Sequence, residues 1–113
     1  MKNNIFSKNY KNIKDKREMQ CKLVKDALDV IILIKLLEGP CHGYGMLKYI
    51  SDRYETYLSP GQLYPALYNL KKEQLVNSVG GSDKKIYFIK SHPEATALVD
   101  NFLKHHLDFV NEM

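Results

Sequence analysis

The chain has 113 residues, 44% of them apolar and 27% charged, with a net charge of +4. That supports one ordinary globular domain with a single core and excludes a disordered chain. Its longest uninterrupted apolar run, Val30 to Ile34, falls far short of the roughly 20 residues that cross a bilayer. The first 20 residues contain no apolar signal-peptide core, so the expected location is cytoplasmic and no membrane partner is expected. Cys21 and Cys41 give no disulfide framework and fit a reducing compartment.

Charge is unevenly spread. Residues 1–20 hold Lys2, Lys8, Lys11, Lys14, Lys16 and Arg17 against Asp15 and Glu18, so the whole excess of +4 lies there, while the rest carries 11 cations and 11 anions. A basic, Asn-rich arm ahead of a neutral domain suits either a DNA tether or a solubilising tail. Ile5, Phe6, Tyr10 and Ile13 could dock part of this arm on the domain as an extra helical turn.

From Lys22 to Glu38 apolar residues recur with helical spacing over more than one face, which predicts a helix buried on two sides and ended by Glu38-Gly39-Pro40. A short second helix is expected over about Tyr44–Tyr54, with Met46, Leu47 and Ile50 facing inward. A connector, residues 55–58, leads to the most informative stretch of the chain, Ser59 to Lys72. There Ser59 is an N-cap, Pro60 fits the first helical position, and Gln62 completes a capping box. Leu63, Ala66, Leu67 and Leu70 share one face and predict a core contact. The opposite face carries Gln62, Tyr64, Tyr68, Asn69, Lys71 and Lys72, donors and cations suited to phosphate oxygens and base edges. Gly61 would let phosphate approach the helix N-terminus. Pro65 removes one helical hydrogen bond, at reduced cost so near the N-terminus.

After this helix the period changes from 3.6 to 2. Leu75–Val79 and Lys85–Ile89, on either side of Gly80-Gly81-Ser82-Asp83, read as a hairpin with Lys84 and Lys85 at its tip. From Pro93 a helical stripe of Leu98, Val99, Phe102, Leu103, His106, Phe109 and Val110 runs almost to the last residue. That stripe finds no partner within so small a domain and is expected to pack against a second copy of the chain.

The order of these elements is that of a winged helix-turn-helix. The fold class expected is therefore mainly α with a small β-hairpin, a winged helix-turn-helix plus a C-terminal dimerisation helix. Its divisions are an arm over 1–20, a DNA-binding domain over 21–92 and the dimerisation helix over 93–113.

The strings Gly39-Pro40-x-His42-Gly43-Tyr44 and Leu58-Ser59-Pro60-Gly61-x-Leu63-Tyr64-Pro65-Ala66-Leu67-x-x-Leu70, followed loosely by Lys72-x-Gln74-Leu75-Val76, resemble the PadR-like transcriptional regulators. The likeness covers about Leu23 to Ile89. It implies a cytoplasmic, dimeric winged-helix protein that binds DNA, usually as a repressor, with dimer contacts from the last helix and often the first. The family keeps a basic residue and Tyr in the second wing strand, here Lys85 and Tyr87, then Thr and Gly, where this chain has Lys90 and Pro93.

Residues and resemblance together assign DNA contact to Ser59, Gly61, Gln62, Tyr64, Tyr68, Asn69, Lys72, Lys84 and Lys85, with residues 60–74 in the major groove and 80–85 on the backbone or minor groove. The expected partners are a double-stranded DNA operator, a second copy of the chain, and a small aromatic or hydrophobic effector between the last helix and the winged domain. No cofactor, metal or catalytic group is expected: His42 beside Cys41, without a second pair of ligands, does not make a zinc site, His105 and His106 suit a surface or interface, and no nucleophile–base pairing is present. The alternative is a winged-helix adaptor that docks a protein partner without specific DNA binding, a reading kept open by the neutral charge of residues 21–113.

Overall fold

The computed structural model describes residues 27–81 and 84–111, with side chains through Lys104. Among them are α1 (Leu28–Leu37), β1 (Cys41–His42), α2 (Gly43–Arg53), α3 (Pro60–Lys72), β2 (Val76–Val79), β3 (Ile86–Ile89) and α4 (His92–Asn111). The strands form one antiparallel sheet in the order β1-β3-β2.

The first helix is central because its apolar residues do not keep to one stripe. Leu28, Val30, Ile31, Ile32, Leu33 and Leu36 are all buried, and α1 packs against α2, α3, β3 and α4. It stops as Gly39 takes φ +146°, a conformation open to glycine, and Pro40 follows. Met46 and Ile50 of α2 are buried as expected, with Leu47 packed at the edge of the core.

Leu63, Ala66, Leu67 and Leu70 of α3 are all buried. The helix begins at the expected capping box: the Ser59 backbone N–H donates to Gln62 Oε1 at 3.0 Å, and Ser59 Oγ donates to the same oxygen at 3.0 Å. It ends at Lys72. Gln74 then takes φ +66°, its N–H donates to the Lys71 carbonyl at 3.0 Å, and the Leu75 N–H donates to the Leu70 carbonyl at 3.1 Å. This pair of bonds is a Schellman motif, closed by the buried Leu70 and Leu75. Helix α2 ends in a similar way, with Glu55 at φ +51° and the Thr56 N–H donating to the Ser51 carbonyl at 3.1 Å.

One expectation is extended and another needs correction. The expected hairpin of β2 and β3 is present, and Cys41 and His42 pair with Tyr87 and Ile86 to add a third strand; two residues are too few to carry a period. His42 both ends β1 and holds the N-cap position of α2, without a side-chain capping bond. The last helix, in turn, has a partner within its own subunit. Ala95 and Val99 are buried in the core and Phe102 packs against it, through the contact of α4 with α1.

Candidate nucleic-acid interface

With its apolar face sunk in the core, α3 turns Gly61, Tyr64, Tyr68, Asn69 and Lys72 to the exterior. Tyr68 and Lys72, one turn apart, meet as a cation–π pair with Nζ 5.8 Å from the ring centroid. Ser59 and Gln62 are half-buried, and since Gln62 Oε1 is engaged in the cap, its amide NH2 is the group available to an outside acceptor. Lys71, on the flank of α3, donates to Ser78 Oγ of β2 at 3.0 Å. It thus braces the helix against the wing.

The wing turn begins at Gly80, where φ is +108° and a Cβ would lie 2.6 Å from the Lys84 carbonyl oxygen, so a side chain cannot be accommodated. The Lys84 N–H closes the loop on the Gly81 carbonyl at 3.2 Å. Ser82 and Asp83 of the expected tip lie outside the described residues. Lys84 is exposed and Lys85 half-buried.

Between α3 and the wing lies a cavity of about 570 Å³ lined by His42, Gly43, Tyr44, Gly45, Tyr64, Lys85 and Tyr87. Tyr64 reaches across to α2 so closely that a Cβ on Gly43 would sit 2.5 Å from its hydroxyl. The helix, the second helix and the wing therefore meet at one aromatic side chain. Burial, and then the neighbouring Tyr64, push the Tyr87 phenol up. The sequence assigned Tyr64 and Lys85 to DNA contact; that they share a cavity with Gly43 and Tyr44 was not anticipated. The adjacent pair Gly43-Tyr44 was visible; what brought it to the site was the unrecognised strand β1.

The model of the transcriptional regulator PadR-like family matches residues 32–91, more than half of the chain. The chain belongs to that family. PadR-like structures resemble it over most of its length. A transcriptional regulator from Clostridium thermocellum superposes with a TM-score of 0.67 at 23% identity, covering 81% of this chain and 94% of that one. The PadR-like transcriptional regulator of Bacillus cereus gives 0.66 at 21%, covering 80% and 91%. RosR of Halobacterium salinarum gives 0.62 at 25%, covering 74% and 76%. No curated protein matches the chain.

Of the dimer residues expected for this PadR-like chain, Leu98 and Leu103 remain 39% and 36% exposed, whereas Val99 is buried at home and Phe102 half-buried. The side chains of His106, Phe109 and Val110 lie outside the described residues. Burial also raises the Cys41 thiol, partly offset by Lys35. Among the described residues no group of three or more His, Cys, Asp or Glu could hold a metal ion, and no helix is long and apolar enough to cross a membrane.

Proposed function

We propose that this PadR-like chain is a sequence-specific DNA-binding regulator that acts as a homodimer and represses by occluding polymerase. The observation that carries this reading is the division of α3, which buries Leu63, Ala66, Leu67 and Leu70 while exposing Tyr64, Tyr68, Asn69 and Lys72 beside the wing lysines. Such a helix enters the major groove, reading base edges with Asn69 and Gln62 and holding phosphates with Tyr68, Lys72, Ser59 and the amide of Gly61. Lys84 and Lys85 neutralise backbone phosphate on the flank. Leu98 and Leu103 join the distal part of α4 in the seam between subunits, which sets two recognition helices about one DNA turn, roughly 34 Å, apart. A small aromatic or hydrophobic effector entering between α4 and the winged domain would alter that spacing.

The test is operator binding by Lys85→Ala and Tyr68→Ala variants, with dimerisation followed in parallel by sedimentation. Each substitution is expected to weaken binding by about tenfold and leave the dimer intact. Undiminished binding by both would remove α3 and the wing from the interface.

A further inference from the structure

Gln62 has two tasks on α3, and the first limits the second. It is the third residue of the helix, in the N-terminal turn that a recognition helix turns toward base edges. Its side chain also closes the helix start: Oε1 accepts from the Ser59 backbone N–H at 3.0 Å and from Ser59 Oγ at 3.0 Å. A backbone N–H can only donate, so the atom that meets it must be the amide oxygen, and the amide nitrogen is left outside the cap. An amide oxygen has two lone pairs, and these two bonds occupy both. What the half-buried Gln62 side chain can still offer an outside group is therefore two N–H donors and no acceptor. Asn69, two turns further along α3 and exposed, takes no part in the cap and keeps a donor and an acceptor together.

We infer that the capping box makes Gln62 a reader of guanine. The inference rests on the DNA-binding reading above and names the base that this residue selects. A free glutamine pairs with adenine by accepting from N6 while donating to N7. The capped side chain cannot accept, so the adenine amino group would meet a second donor. Cytosine also presents an amino group. Thymine offers one acceptor, O4, beside a methyl group, whereas guanine sets N7 and O6 side by side, two acceptors for two hydrogens. To read adenine, Gln62 would have to open the cap and leave the Ser59 N–H without its partner. On this helix the amide suited to adenine is that of Asn69.

The experiment selects bound duplexes from a randomised library with the wild-type protein and with Gln62→Glu, and compares base preferences position by position. The substitution keeps the capping box, since a carboxylate oxygen accepts the same two Ser59 bonds, but the outward group becomes an acceptor; thermal melts check that both proteins are folded. The added negative charge lowers affinity for every duplex alike, so the ratio between bases is the readout. Wild type is expected to favour guanine about tenfold over adenine at one position of the selected site. Gln62→Glu should lose that preference or pass it to a base that carries an amino group, adenine or cytosine, with the other positions as in wild type. A guanine preference retained in Gln62→Glu, or a profile with no position changed, overturns the inference and leaves the regulator reading standing. So does a position that responds to the substitution but favours adenine or thymine in wild type. A wild-type protein that enriches no sequence overturns the regulator reading itself.

Discussion

Gly43 and Tyr64 show how much one missing methyl group decides. The Tyr64 ring lies where a Cβ on residue 43 would approach it to 2.5–2.9 Å, so Gly43→Ala must displace the ring from its seat on α2. Helix propensity gained at residue 43 offsets part of the clash, so stability should change by less than about 1 kcal/mol. Duplex affinity should fall by about tenfold, and a melt and a binding titration on the same sample separate the two effects. An equally large loss of both would mean that Tyr64 serves folding rather than contact. The sequence revealed Tyr64 as outward-facing because its neighbours at 63, 66, 67 and 70 define the buried face. It could not reveal that the ring rests on residue 43, because that contact depends on the relative placement of two helices.

The helix ends and the brace to the wing set the geometry at the scale of elements. Gln74 adopts a left-handed conformation that costs a residue with a Cβ about 1 kcal/mol or more. Gln74→Gly should therefore raise stability by about 1 kcal/mol, read as a higher midpoint in denaturant, despite the loss of the exposed hydrogen bond from Lys90. The Lys71–Ser78 bond acts differently, since it joins α3 to β2. Ser78→Ala should cost about 1 kcal/mol and weaken binding to any duplex by loosening the wing; unchanged affinity would show that the sheet alone holds the wing in place. The capping box at Ser59 and the stop at Gly39-Pro40 were legible because each depends on a few consecutive residues. Strand β1 was not, because two residues flanked by Pro40 and Gly43 show no alternation and become a strand only when β3 offers its edge. The partial burial of the α4 stripe was hidden for a related reason: an apolar stripe states that something covers it, and here α1 covers Ala95 and Val99 before any second subunit does.

For the whole molecule, charge and assembly govern binding. Residues 21–113 are balanced in charge, so the excess of +4 in residues 1–20 should dominate non-specific attraction. Removing those residues is expected to reduce the salt slope of binding by roughly one for each phosphate they neutralise, and to leave discrimination between sequences unchanged. If the slope is unaltered, the arm serves solubility. Leu98 and Leu103 stay exposed on a helix whose other face is satisfied within the subunit. Replacing both with Glu should shift the protein to monomer in sedimentation and lower operator affinity far more than any single contact residue does, because two linked half-sites become one. The most direct measurement is an anisotropy titration of the intact protein against its own upstream DNA and an unrelated duplex at two salt concentrations. A sequence-specific regulator should bind its own DNA saturably and keep much of that preference at the higher salt. Equal binding to both duplexes, abolished by salt, would contradict it and favour a winged-helix adaptor with a basic arm.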